Sequence, residues 1–307
     1  MSQSQSKFNL SVWVHKGHQF LLSGQIKKQN ERLVLSLAIL SYIIHLLIIA
    51  FVKAGVIQTN LGLFNSPISA IYTPFSFILV YEVYLLLFYL PKSTTFYIGK
   101  QYEIITLIVI RRIFKDLGDL QLVPDWFQNK KDLQFTFDVV SALILFYLIY
   151  VFYHRIIKRQ VAAIADVSPV SKAAGRFIFL KKAISLFLLP VLLGLACYSL
   201  GNWINLLFAN QFSAFAALAN VNTVFFDDFF TILIIVDVLL LLASFYYSDQ
   251  FHIIIRNSGF VLSTILIKLS FSVIGPVNNI LVVSSVLFGL LILYITQLYE
   301  KSLGTVR

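Results

Sequence analysis

The chain has 307 residues, of which 59% are hydrophobic and 12% charged, with a mean hydropathy of +0.84 and a formal net charge of +10. Soluble domains carry about 25% charged residues, so a chain this apolar could not cover its own surface in water. One cysteine, Cys197, excludes an internal disulfide and any multi-cysteine metal site.

The first stretch, MSQSQSKFNLSVWVHKGHQF, lacks the compact apolar core and small-residue cleavage site of a signal peptide. Residues 1–31 read as a basic, partly amphipathic lead-in at the membrane surface. Uncharged runs then follow. Leu33–Val52, Ala183–Phe226 and Val273–Tyr299 contain no Asp, Glu, Lys or Arg. Each is long enough to cross a hydrocarbon core of about 30 Å as a helix. A β-barrel would read as short alternating segments instead.

The expected fold class is therefore all-α: a polytopic integral membrane helical bundle of about eight transmembrane helices. They are predicted over 32–56, 69–90, 101–117, 135–153, 182–207, 229–247, 253–274 and 277–298. Pro91 closes the second, since proline cannot continue a helix ladder. Gly275-Pro276 breaks the seventh from the eighth. The third is the least apolar.

Loop charges orient the bundle. Lys7, Lys16, Lys27 and Lys28 lie in the lead-in, with Arg32 just after it; Lys92 and Lys100 lie between the second and third helices. Arg155, Lys158, Arg159, Lys172, Arg176, Lys181 and Lys182 lie between the fourth and fifth, against Asp166 alone. An even helix count puts these basic loops on one side. The positive-inside rule makes that side the cytoplasm, with both termini there. The net charge is thus a topology signal, and no soluble domain is present to bind nucleic acid. The expected location is a plasma membrane; the Asn-, Lys- and Phe-rich composition fits a bacterial inner membrane.

Two stretches resemble each other. In YEVYLLLFYLPKSTTFYIGKQYEIITLIVIR and VDVLLLLASFYYSDQFHIIIRNSGFVLSTILIK, Glu82 matches Asp237 and Arg111 matches Lys268. The internal repeat predicts two four-helix halves in the same orientation, related by an axis along the membrane normal. The chain then divides into the lead-in at 1–31, a first membrane repeat at 32–155, a basic cytoplasmic linker at 156–181, a second membrane repeat at 182–300 and a tail at 301–307.

At 1.5 Å per residue, Glu82 lies about 13 Å from Pro91, Arg111 about 16 Å from Lys100, Asp237 about 16 Å from Ser248 and Lys268 about 18 Å from Arg256. All four come near the membrane middle. Consecutive helices are neighbours, so Glu82 is expected to meet Arg111, and Asp237 to meet Lys268. Ionisable residues inside a membrane default to a functional hypothesis. The competing reading is a structural staple, which a buried pair supports weakly because desolvation can cancel its attraction.

The third helix adds Glu103, Arg112, Lys115 and Asp116, with Glu103, Arg111 and Lys115 on one face. That stripe must face protein or water, unless the helix lies flat on the membrane. His45 reads as a proton relay, a haem ligand or, more commonly, a hydrogen-bonded core residue. Asp138 reads as a helix cap or mouth residue. Asp227 and Asp228 read as a cation-attracting outer mouth or an ordinary acidic helix start. Asn202, Asn205, Asn278 and Asn279 read as path-lining or capping groups.

No glycine-rich phosphate loop, HExxH, histidine cluster or nucleophile elbow occurs, so no enzyme activity, cofactor or metal is expected. The expected function is a membrane ion channel or an ion-coupled transporter, linked to protons or cations, with its path running past Glu82, Arg111, Asp237 and Lys268. The alternative is a non-transporting scaffold or assembly protein using its basic cytoplasmic face. The expected partners are the lipid bilayer and inorganic ions. Eight helices can form a pore alone or line one jointly, so a homo-oligomer is also among the expected partners.

Overall fold

The computed structural model describes residues 10–56, 64, 67–117, 130–164, 172–208, 214–247 and 251–304. Among them the structure is helical throughout. In chain order the helices are α1 (Leu10–Leu21), α2 (Gly24–Lys53), α3 (Tyr72–Tyr89), α4 (Thr94–Leu117), α5 (Lys130–Ile164), α6 (Lys172–Phe208), α7 (Ala214–Tyr247), α8 (Phe251–Phe271) and α9 (Pro276–Gly304). A 3-10 turn, Pro67–Ile71, leads into α3.

Each of the eight expected segments is helical. Six helical stretches are long and apolar enough to cross a membrane: Val12–Lys53, Asp132–Lys158, Gly175–Leu195, Asp227–Tyr246, Phe251–Phe271 and Pro276–Ser302. This fits a multi-pass membrane helical bundle. α3 is apolar but shorter, and α4 is too charged to count. Several helices overrun their expected ends; α7, for one, begins at Ala214 rather than 229. α5 continues to Ile164 and α6 begins at Lys172, so most of the basic stretch 156–181 is helical. α4 starts at Thr94, about two turns before the expected 101.

Each helix packs on its successor within α2–α5 and within α6–α9. The two sets join through α5 on α9, α4 on α8 and α3 on α6, while α1 also packs on α6. One end of the bundle carries the starts of α4, α6 and α8 and the ends of α5 and α9. There, Lys181 of α6 meets Thr94 of α4, His252 of α8 meets Glu300 of α9, and Gln297 of α9 donates to the Arg155 carbonyl of α5. We call this the basic end, after Lys92, Lys158, Arg176, Lys181, Lys182 and Arg256. The opposite end holds the α8–α9 turn and the starts of α5 and of the apolar stretch of α7.

Local chemistry sets the turns. Ser23, in extended conformation, breaks α1 from α2 and accepts from the Ile26 N–H at 3.3 Å. The Tyr84 hydroxyl donates to the Leu21 carbonyl at 3.0 Å, satisfying the end of α1. Gly275 turns α8 into α9 at φ +87°, a conformation that favours glycine, and Pro276 then takes the first position of α9.

α4 lies inside the bundle against α3, α5 and α8, with Gln101, Tyr102, Ile104, Ile105 and Val109 buried. It does not lie flat on a surface. The outer faces are apolar instead: α2 exposes Leu33, Ile39, Leu40, Ile43 and Leu47. Such a surface suits lipid rather than water.

Candidate functional site: a polar seam between α4 and α8

α4 and α8 touch along the middle of the bundle, and both bury polar side chains there. α4 contributes Thr95, Gln101, Thr106 and Arg111; α8 contributes Arg256, Asn257, Ser263, Thr264 and Ser270. A buried polar group costs free energy unless it is hydrogen-bonded, so each has to find a partner. The partners form three layers along the seam.

The middle layer surrounds Asp237 of α7, which is 4% exposed. Gln101 Nε2 donates to its Oδ2 at 3.0 Å, and Thr264 Oγ1 donates to Gln101 Oε1 at 2.7 Å. The Tyr97 hydroxyl is close enough to feel the Asp237 charge but forms no hydrogen bond of ordinary geometry. Beside this group, Ser263 donates to the Ser285 carbonyl at 2.7 Å. The Tyr102 hydroxyl therefore donates to Ser263 Oγ, 2.8 Å away. Gly289 makes room for that hydroxyl, since a Cβ there would lie 1.7 Å from it.

The basic-end layer holds two buried cations. Lys181 Nζ donates to Thr94 Oγ1 at 2.6 Å, and Arg256 Nη2 to Asn257 Oδ1 at 3.4 Å. Thr94 and Asn257 also line a small cleft together with Ile98, Phe177, Leu240 and Asp237. The centre of a water molecule has about 20 Å³ to explore in it, room for about one water.

The opposite layer is built on Asp138 of α5, whose side chain is fully buried. Arg112 of α4 grips it with Nε to Oδ2 and Nη2 to Oδ1, each at 2.6 Å. Gln134 and Asn279 donate to Oδ1 at 2.8 and 2.7 Å. Arg112 also donates to Asn278 Oδ1 at 2.9 Å and Asn279 Oδ1 at 2.6 Å, and Asn278 reaches the Ser270 carbonyl at 2.5 Å. Between this layer and the middle one, Ile105, Val109, Ile267 and Val282 are buried in the common core. The seam is polar toward both ends and apolar between these two layers.

The expected acid–base pairs are replaced by others. Asp237 does not pair with Lys268, which instead pairs with Asp227. Glu82 does not pair with Arg111; its Oε2 lies 3.8 Å from Lys100 Nζ, which also pairs with Glu103. The cause is the early start of α4. Counted from Thr94, the residues level with Glu82 are Lys100 and its neighbours, and Arg111 lies deeper. Likewise Lys268 is the eighteenth residue of α8 and passes Asp237, whose depth matches Thr264. Arg111 is buried near the opposite end.

Among the other expected residues, His45 of α2 is buried, with Nδ1 2.7 Å from Thr73 Oγ1 and an edge-on contact with Phe64. That is a helix–helix hydrogen bond, the core role of a lone histidine. Asp138 and Arg112 come together, and Asn278 and Asn279 join them. Asp228 is exposed at the opposite end beside Asp227. The side chains of Lys115, Cys197, Asn202 and Asn205 lie outside the described residues. Among the described residues, no three His, Cys, Asp or Glu side chains are grouped to hold a metal.

Gln101, Thr264, Lys181, Arg256 and Asn257 were not read as site residues from the sequence. One signal was available. Asn257 and Thr264 stand seven apart, on one face of α8.

Comparison with known protein families, curated proteins and solved structures found no match.

Proposed function

We propose that this chain is an ion-translocating membrane protein, a channel or an ion-coupled transporter, whose path follows the α4–α8 seam past Asp237. One observation carries the reading. Asp237 is buried deep within the bundle, and among the described residues no lysine or arginine nitrogen lies within about 4 Å of it. Its hydrogen-bond partner Gln101 is neutral, and the Lys181 ammonium acts on it only from beyond salt-bridge distance. A carboxylate inside a membrane with no cation in contact is costly, and a proton or small cation offsets that cost. The cleft beside it gives access from the basic end. The apolar band of Ile105, Val109, Ile267 and Val282 would act as a closed gate, as dewetted constrictions do.

In this reading the basic end faces the cytoplasm, both termini lie there, and the membrane is a plasma membrane, of bacterial inner-membrane type. The partners are lipid and inorganic ions, with no enzymatic chemistry. The matching contact order of α2–α5 and α6–α9, with α4 on α8 and α5 on α9, supports a two-fold repeat. The repeat is broken at the acids themselves, since Glu82 meets a lysine and Asp237 an amide.

The test is flux in liposomes. Potassium, sodium and proton gradients are imposed in turn on wild type, Asp237→Asn and Glu82→Gln. Wild-type flux lost in folded Asp237→Asn supports the path. If wild type carries none of the three ions, the scaffold reading replaces this one, with the Arg112–Asp138 network as a dry structural staple.

A further inference from the structure

We propose that the basic end carries a binding site for the headgroup of an anionic phospholipid, formed by His15 and His18 of α1, Lys27 of α2, Lys92 of the α3–α4 turn and Lys182 of α6.

The packing of four elements brings these residues to one level. Lys181 donates to Thr94, the first residue of α4, so Lys182 stands level with the turn that carries Lys92. Lys27 Nζ donates to the Tyr89 hydroxyl at 3.3 Å, at the end of α3. Lys27 and Lys92 also lie over the same ring, that of Phe88, with Nζ 5.5 and 3.6 Å from its centroid. His18 is close enough to feel Lys182, His15 and Lys92 together.

The donors of this cluster are largely unspent. Among the described residues, the side chains of His15, His18, Lys92 and Lys182 form no hydrogen bond or ion pair. Acids on nearby turns are engaged elsewhere. Glu31 accepts from the Tyr81 hydroxyl at 3.3 Å, and Glu82, which also acts on Lys27, lies 3.8 Å from Lys100 Nζ. Like charges held together without an acid repel one another. A phosphate group removes that repulsion and accepts charge-assisted hydrogen bonds from several lysines at once.

The surroundings select a lipid phosphate. Trp13 and Phe20 are 65% and 75% exposed and stand seven apart on one face of α1, flanking His15 and His18. Aromatic rings so placed suit the boundary between headgroups and acyl chains. Lys92 is itself exposed, while Lys27 and Lys182 are half-buried between helices. Basic pockets between membrane helices at this level hold anionic headgroups, whose acyl chains then cover the apolar flank. A free phosphate would leave the rings uncovered.

This inference does not rest on the transport reading. A chain that binds the lipid and passes no ion would sustain the one and sink the other.

The experiment is native mass spectrometry of the full chain, delipidated in detergent micelles and titrated with phosphatidylglycerol or phosphatidylcholine. Wild type should retain the first phosphatidylglycerol at least about tenfold more tightly than phosphatidylcholine. Lys92→Gln/Lys182→Gln should weaken that binding by at least about tenfold, at about fivefold per lysine, while Lys92→Arg/Lys182→Arg keeps it. Lys158→Gln/Lys301→Gln removes the same charge from α5 and α9 and should change it little. If the glutamine pair does not fold, Lys92→Gln alone, at an exposed side chain, should weaken binding about fivefold. Equal affinity of wild type for the two lipids overturns the inference, as does wild-type affinity in Lys92→Gln. An equal loss in Lys158→Gln/Lys301→Gln overturns it too, since net charge alone would then explain the binding. Displacement of phosphatidylglycerol by millimolar inorganic phosphate would assign the cluster to the free ion instead.

Discussion

Gln101 and Asp237, 136 positions apart, share a hydrogen bond of 3.0 Å that joins α4 to α7. Because Gln101 also accepts from Thr264, one neutral amide ties three helices together at the buried carboxylate. Gln101→Leu should remove both bonds and leave a buried acceptor unsatisfied, lowering stability by about 1–3 kcal/mol. Asp237→Asn keeps a carbonyl oxygen for Gln101 and should lose less than about 1 kcal/mol. Thermal unfolding in nanodiscs distinguishes them; equal losses would mean that the charge, not the amide, holds the layer.

Gly289 and Tyr102 are also complementary. A methyl at 289 would collide with the Tyr102 hydroxyl and break its bond to Ser263. Gly289→Ala should therefore cost about 1–3 kcal/mol. Tyr102→Phe removes the colliding oxygen, so the double variant should be more stable than the sum of the two single losses implies. Strict additivity in a double-mutant cycle would show that the glycine serves another contact.

Breaking the Arg112–Asp138 grip should be the most damaging single change at the opposite end. Arg112→Met leaves a fully buried carboxylate without its cation, at a cost of about 3–5 kcal/mol. Adding Asp138→Leu removes that stranded charge and should restore part of the stability. If the double variant melts lower than Arg112→Met, the asparagines and Gln134 depend on the carboxylate more than the arginine does.

Lys268 and Asp227 should matter little to stability. Their side chains are 25% and 39% exposed, so the pair is worth at most about 1 kcal/mol. Lys268→Met should leave the effect of Asp237→Asn unchanged. A coupling above about 0.5 kcal/mol between positions 268 and 237 would revive a direct link between them.

The helices were legible in the sequence because uncharged runs of spanning length admit few other structures, and proline and glycine mark their ends. Partners were less legible. A pairing depends on where a helix starts and how it is rotated, and each residue of error turns a side chain by about 100°. Starting α4 at 101 instead of 94 was enough to give Glu82 the wrong base. Charge also drew attention away from neutral groups. Asp237 was read as needing a lysine, while Gln101 and Thr264 carried no charge to mark them. Arg112 and Asp138 were each singled out, but nothing local joins residues 26 apart on different helices.

The break at Ser23 has a consequence for how the protein is made. α2 packs on its immediate successor, but α1 turns back to lie on α6, where Gly17 faces Leu186. During synthesis roughly ten to thirty seconds separate the two residues, at ordinary translation rates. Through that interval α1 is held only at its end, by Tyr84 of α3, and its exposed Trp13 and Phe20 leave the rest of it to wait at the lipid interface. A segment translated early is thus tied down late, and α1 records on the finished protein that α6 has arrived.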